Sequence, residues 1–334
     1  MVTIGIAGLG YIGRMHYQAA RHLPGVRVVA AADSRAQEIE NEFPELEVTD
    51  SYENLLNDNR LDALIICVPT YLHERFVVEA ATRSRHILCE KPFAIDSNAA
   101  GRMLDIVKRA GVVFMVSQVL RFWPQYVRIK ELVGQQQLGT IRSLSAYRLA
   151  RYPSWSEWFR DPAKSGGCLL DMQVHDVDFI FWMFGHPCQV QSFGLRSANG
   201  AWEHVHTILT YDDMVSSVES SHIMPASWPF TSGIRVVGRL GAVEYNFRSQ
   251  LDVAGSRGSE GFNKTMFYNA NGVVDELDVR AEDMFVSQLR NFLECVENRE
   301  TRMICPPEES YEVMKIMTAA RQSADTGQPV QMVR

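Results

Sequence analysis

The chain has 334 residues, 46% of them hydrophobic and 22% charged, the make-up of an ordinary globular protein long enough for about two domains. Its formal net charge of −7 argues against a nucleic-acid backbone as partner, which asks for a basic face. The longest apolar run, near residues 179–184, falls far short of the ~18 residues that a membrane span needs.

The first predicted element is a short apolar strand over 3–7, which runs into Gly8-x-Gly10-x-x-Gly13 and a helix over 12–22. In such a pattern the first glycine permits the tight strand-to-helix turn and the second lets the backbone approach a pyrophosphate. The third lets the helix pack closely on the strand. The helix N-terminus then offers unpaired N–H groups and a favourable dipole to an anion. A second strand over 26–32 leads to Asp33, twenty positions after Gly13. A carboxylate there either accepts hydrogen bonds from an adenosine ribose or simply ends the strand as a turn residue. As a ribose ligand it repels a 2′-phosphate, so NAD is expected in preference to NADP. Arg35 works against that preference, because its guanidinium can stack on adenine or pair with a phosphate.

Helices over 36–43 and 52–57, a strand over 63–68, a helix over 72–82, a strand over 86–89, a helix over 97–110 and a strand over 112–117 follow. This alternation predicts an α/β Rossmann domain, a doubly wound parallel sheet, over residues 1–120. Ligands of such sheets lie beyond the carboxyl ends of the strands. The residues to inspect are therefore Gly8, Asp33, Pro69-Thr70, Glu90-Lys91-Pro92 and Gln118.

Beyond residue 120 the pattern changes to period-two alternation over 141–149, 205–211, 215–222, 234–237 and 243–247, with a turn at Asp212-Asp213. The expected second domain, 121–334, is α+β with an open, mainly antiparallel sheet. Helices are expected over 166–184, 282–298 and 308–324, the last with prolines at its start and Gly327 just past its end. An open sheet covered by helices on one face leaves the other to bury itself against a second copy, so a homodimer or homotetramer through that sheet is expected. The six cysteines are scattered with no C-x-x-C pair and read as reduced. No basic leader precedes the first strand, and a cytoplasmic protein is the expectation.

Lys91 leaves the sheet on its ligand side and reads either as a catalytic group or as a surface lysine in a turn. In the run from Gly166 to Asp178, Asp171, His175 and Asp178 fall at i, i+4 and i+7, on one face of a helix. Leu170, Val174, Val177 and Phe181 form a separate apolar stripe. A carboxylate one turn from an imidazole sets its tautomer and raises its basicity, as a general base requires, and both Asp171 and Asp178 are candidates for that role. Asp176 reads as part of a solvated face. No metal is expected, because too few ligands stand at a recognised spacing.

The fingerprint, Pro69-Thr70-Tyr71-Leu72-His73, Glu90-Lys91-Pro92 and Gly-Gly-x-Leu-x-Asp-x-x-x-His-x-x-Asp together resemble the Gfo/Idh/MocA family, and the likeness runs on to the segment 319–330. The resemblance implies oxidation or reduction of a small polyhydroxylated substrate, a sugar, cyclitol or related polyol, with Lys91, Asp171 and His175 as the catalytic set. It also draws attention to Tyr11, Ile12, Val68, Pro69, His73, Gln118 and the aromatic stretch Trp155 to Arg160, in which Trp158 either lies against the nicotinamide or fills the domain junction. Phe285 departs from a tyrosine that many members carry, and Cys168 replaces a third glycine. The family also contains non-catalytic sensing relatives, and NAD-assisted glycoside cleavage is a further possibility for such a chain.

Overall fold

The computed structural model describes residues 1–153, 157–249 and 261–332. In chain order its elements are β1 (Val2–Ala7), α1 (Tyr11–Arg21), β2 (Val26–Ala32), α2 (Ala36–Glu42), β3 (Glu47–Thr49), α3 (Tyr52–Leu56), β4 (Ala63–Ile66), α4 (His73–Thr82), β5 (His86–Glu90), α5 (Ser97–Ala110) and β6 (Phe114–Ser117). Then come α6 (Pro124–Gly134), β7 (Ile141–Leu149), α7 (Pro162–Ser165), α8 (Gly167–Asp171), α9 (Gln173–Phe184), β8 (Gln189–Arg196), β9 (Trp202–Thr210) and β10 (Val215–Ser221). The chain finishes with β11 (Thr231–Gly238), β12 (Gly241–Arg248), β13 (Phe262–Asn269), β14 (Val274–Glu276), α10 (Met284–Glu297), α11 (Pro307–Thr326) and β15 (Val330–Gln331).

Packing divides the chain into two compact units, residues 1–122 with 282–312 and residues 123–281 with 313–334. The first unit is built on a six-stranded sheet in the order β3-β2-β1-β4-β5-β6, every pair of which is parallel. The order reverses between β1 and β4, and ligands of doubly wound sheets bind at such a switch point. β4 is buried at every position, the signature of a strand covered by helices on both faces.

The segment 282–312, which a linear division at residue 120 leaves with the C-terminal half, packs in this first unit. Asp283 caps α10 by accepting from the N–H groups of Phe285 and Val286. Phe285, Leu289, Phe292 and Leu293 of that helix join Ile4, Ile6, Leu9 and Met115 in one core. Arg121, fully buried, is held in the same unit by the Ile304 carbonyl at 3.1 Å and by the Glu309 carboxylate.

Among the described residues the second unit carries a nine-stranded sheet, β14-β13-β12-β11-β7-β10-β9-β8-β15. It is antiparallel apart from the β7–β10 pair. Along β9, Val205, Thr207 and Leu209 are buried while His204, His206 and Ile208 between them are half-exposed. Their alternation gives the sheet a buried face and an outward one. Gln173 anchors α9 to the buried face, donating to the Val205 and Val218 carbonyls at 3.0 and 3.2 Å and accepting from the Thr207 hydroxyl at 2.7 Å.

The predicted helix over 166–184 is interrupted. Met172, at φ −100° and ψ −47°, separates α8 from α9. At the start of α8, Gly167 has φ +67°, and a Cβ there would stand 2.6 Å from the Trp202 carbonyl oxygen, so only glycine lets α8 approach β9 this closely. The six cysteines are unbridged, four of them buried. Among the described residues no helix is long and apolar enough to cross a membrane.

Candidate functional site

In the first unit the glycine loop has the geometry that a bound pyrophosphate requires. Gly8 has φ +91°, and a Cβ on it would meet the Cys67 carbonyl oxygen at 2.6 Å. A Cβ on Gly13 would come within 2.0 Å of the Gly8 carbonyl oxygen, so α1 rests directly on the turn that precedes it. Gly10 differs, because among the described residues nothing lies within 4 Å of its Cβ position. Gly10 is also the N-cap of α1 without a side-chain cap, and no acidic residue stands in the first turn. The helix dipole and its unpaired N–H groups are thus left for an external anion. Tyr11, 73% exposed, and the half-buried Ile12 follow on the first turn of α1.

Asp33 sits just past β2 and does more than end a strand. Its carboxylate accepts from the Leu9 N–H at 2.8 Å, tying the glycine loop to β2, and from the backbone and Nε of Arg35 at 3.0 and 3.2 Å. Arg35 therefore pairs with Asp33 while about half of its side chain stays exposed.

Val68 and Pro69 follow β4, and Thr70 opens a short 3₁₀ turn, Thr70–Leu72. His73 is buried at the head of α4, its Nδ1 2.9 Å from the Pro92 carbonyl and its Nε2 2.9 Å from the Val68 carbonyl. It stands between two loops at the ligand end of the sheet. Burial, the largest influence, holds its pKa below the ordinary histidine value against the pull of those carbonyls.

Glu90 closes β5 and is buried. It meets His16 Nε2 at 2.7 Å and accepts from the Lys91 N–H at 3.2 Å. Burial pushes its carboxyl up, but His16, Ser117 and the Lys91 charge together bring it below the ordinary glutamate value. Around this pair, Phe285 sets its ring edge-on to His16 at 5.2 Å, and the Ser117 hydroxyl donates to Gln288 Oε1 at 2.8 Å. Sequence reasoning singled out neither His16, Ser117 nor Gln288. The position of His16 three residues after Gly13, on the helix face turned toward the sheet, was the available signal. Lys91 begins the following loop, half-buried, and its bond to Pro92 is cis. Gln118 follows β6 and is buried, with its Oε1 lacking any hydrogen-bond partner among the described residues. An unsatisfied acceptor at this end of the sheet is suited to a ligand's N–H.

In the second unit, Asp171 is the last residue of α8 and His175 lies in the first turn of α9. Their i, i+4 spacing thus crosses the break at Met172 instead of lying on one uninterrupted helix. Asp171 Oδ2 stands 3.7 Å from Nε2 of His222, a buried residue just past β10 whose ring meets that of Tyr152 at 5.4 Å. His222 escaped the sequence reading because it belongs to no motif. Asp178 is fully buried. Asp176, expected on a solvated face, is also buried, and forms a two-pronged ion pair with Arg148 of β7 at 3.0 and 3.1 Å. Trp158 stacks on Phe159 at 3.9 Å in the turn Glu157–Arg160, whereas Trp155 and Ser156 lie outside the described residues.

Residues 2–118 match the family described as oxidoreductase family, NAD-binding Rossmann fold, and residues 126–244 match the GFO/IDH/MocA C-terminal domain. The chain belongs to the GFO/IDH/MocA oxidoreductase family. Its relatives in that family include a D-xylose 1-dehydrogenase (NADP(+)) from Haloferax volcanii, 28% identical over 98% of each chain. Another is a scyllo-inositol 2-dehydrogenase (NAD(+)) from Bacillus subtilis, 25% identical over 99% of this chain and 96% of the relative. The fold is shared with the solved aldose-aldose oxidoreductase of Caulobacter crescentus, at a TM-score of 0.85 and 18% identity over 99% of each chain.

The Gly13 contact gives a direct test of the dinucleotide cradle. Gly13→Ala forces α1 off the Gly8 carbonyl and so moves the N–H groups at its start that would meet the pyrophosphate. Dinucleotide affinity, read by fluorescence titration, is expected to fall by about tenfold or more, the loss of one hydrogen bond to a charged group, while the far-ultraviolet spectrum is unchanged.

Proposed function

We propose that this oxidoreductase is an NAD-dependent dehydrogenase that transfers hydride between the cofactor and a secondary alcohol of a sugar, cyclitol or related polyol. The observation that carries this reading is the open, uncapped start of α1 at Gly10, flanked by the Asp33 carboxylate at the end of β2. Gly8, Gly10, Tyr11, Ile12 and Gly13 would hold the pyrophosphate side, Asp33 the adenosine ribose, and Val68, Pro69, Thr70, Lys91 and Gln118 the nicotinamide side. The relatives named for D-xylose and scyllo-inositol support the substrate class. They differ in cofactor, so the preference for NAD rests on Asp33.

When bound, the cofactor supplies the hydride acceptor. In the direction of oxidation His175 accepts the hydroxyl proton of the carbinol, and the Lys91 ammonium stabilises negative charge developing on that oxygen. Asp171 orients the substrate or the imidazole. Glu90, tied to His16 and to the Lys91 backbone, sets the start of the Lys91 loop. The outward face of the large sheet, where Phe193, Leu195 and Val215 are about half exposed, is the surface through which a homodimer or homotetramer would form.

The test is a screen of sugars, cyclitols and sugar acids with NAD and NADP in parallel, following absorbance of the reduced cofactor. Reduction by one such substrate, faster with NAD, is expected, and Asp33→Ser shifts the preference toward NADP. An unchanged preference in that variant removes Asp33 from the ribose site. Absence of net reduced cofactor with every polyol favours the sensing or glycoside-cleaving readings.

A further inference from the structure

The outward face of the large sheet holds a cluster that the hydride chemistry does not use. His204 and His206 are two apart on β9, so their side chains leave the sheet on the same side. Glu219 of β10 is the direct cross-strand partner of His206 and shares that side. The two imidazole Nε2 atoms are 3.1 Å apart. Ligand atoms of all three residues lie within 4.8 Å of one another. Phe193 of β8, the cross-strand partner of His206 on its other side, lies nearly parallel to the His206 ring, at 5.6 Å and 23°.

We propose that His204, His206 and Glu219 form a binding site for a divalent first-row transition ion of the zinc class. Two imidazole nitrogens this close share either a proton or a cation. Nitrogens on one tetrahedral zinc, each about 2.0–2.1 Å from the metal, stand about 3.3 Å apart, close to the spacing found here. Imidazole ligands select Zn²⁺, Cu²⁺ or Ni²⁺ over Mg²⁺ and Ca²⁺, which prefer oxygen. Two histidines and a glutamate leave a fourth position, pointing off the sheet, for water or an incoming ligand. All three residues are half-exposed on the single chain, so an ion can reach them before assembly without opening the core, and in a homo-oligomer formed through this face the fourth position would meet the second copy. The site was invisible to spacing rules because its third ligand comes from the neighbouring strand, thirteen residues after His206.

The experiment uses the untagged full chain, stripped with chelator and dialysed against Zn²⁺, with metal measured per chain. One tightly held equivalent is expected, with Mg²⁺ failing to compete. His204→Ala, His206→Ala and Glu219→Ala should each weaken it at least about tenfold. Co²⁺ in the unmodified chain should give the visible spectrum of a tetrahedral site, a readout that needs no variant to fold. Retention of the equivalent by the folded variants, or absence of both zinc uptake and the cobalt spectrum in the unmodified chain, overturns the proposal. Metal uptake is read by stoichiometry and self-association by molar mass, so failure of this proposal leaves the dehydrogenase reading and the open-sheet interface standing.

Discussion

Replacing Arg148 by methionine will destabilise the second unit by about 3–5 kcal/mol, the cost of removing one partner from a buried ion pair. Arg148 stands on β7, on the same face as Leu144 and Ala146, and is 5% exposed. Asp176 on α9 is 1% exposed. Its carboxylate takes both hydrogen bonds from the guanidinium, at 3.0 and 3.1 Å. Without them a charge remains in the core with nothing to offset its desolvation. At about 2–4 °C per kcal/mol for a unit of this size, the melting midpoint should fall by roughly 6–20 °C. The companion measurement is a double-mutant cycle. Arg148→Met combined with Asp176→Leu removes both charges and should recover most of the loss, because an apolar pair of similar volume is often neutral. A single variant that melts with the parent protein would show that the pair carries no such weight.

This ion pair marks where the sequence stopped being informative. Central strands of the first sheet announce themselves because burial on both faces demands unbroken apolar runs such as Ala63–Ile66, and the glycine loop because the steric demands at Gly8 and Gly13 admit no other residue. Along Gln173–Phe184 an aspartate gives no sign of whether it faces water or an arginine. Asp176 was misread because its partner is 28 residues away on a strand whose alternation hides a charge on its inward side. His16 and Glu90, 74 residues apart, pose the same difficulty. β3 spans three residues at a sheet edge, too short for periodicity to show. β8 and β13 were missed because polar or glycine positions dilute their alternation. The helix Met284–Glu297 is plain in the sequence. Its attachment to the first unit is not, because hydrophobic spacing says that a face is buried but not against what.

Lys91→Ala and His175→Ala are each expected to lower turnover by about two to four powers of ten, the range for groups that move a proton or stabilise charge in the reacting state. His175→Ala should leave NAD affinity nearly unchanged, and Lys91→Ala, at the proposed nicotinamide side, should change it far less than it changes turnover. The geometry on each side allows these substitutions without collapse. Lys91 begins a loop and is half-buried, and His175 lies half-buried in the first turn of α9, whereas the cradle proposed for the dinucleotide is built from Gly8, Gly10, Gly13 and Asp33 in the first unit. The two catalytic roles separate by pH. In the parent protein kcat/KM for alcohol oxidation should rise as the base loses its proton and then level off, and His175→Ala should abolish that rise. Lys91→Ala should lower the plateau and keep the rise. Lys91→Arg retains the charge but replaces a compact ammonium with a broad planar group, so only partial recovery is expected. Normal turnover in the alanine variant at either position would remove that residue from the chemistry and shift attention to Asp171 and His222, whose side chains meet at 3.7 Å.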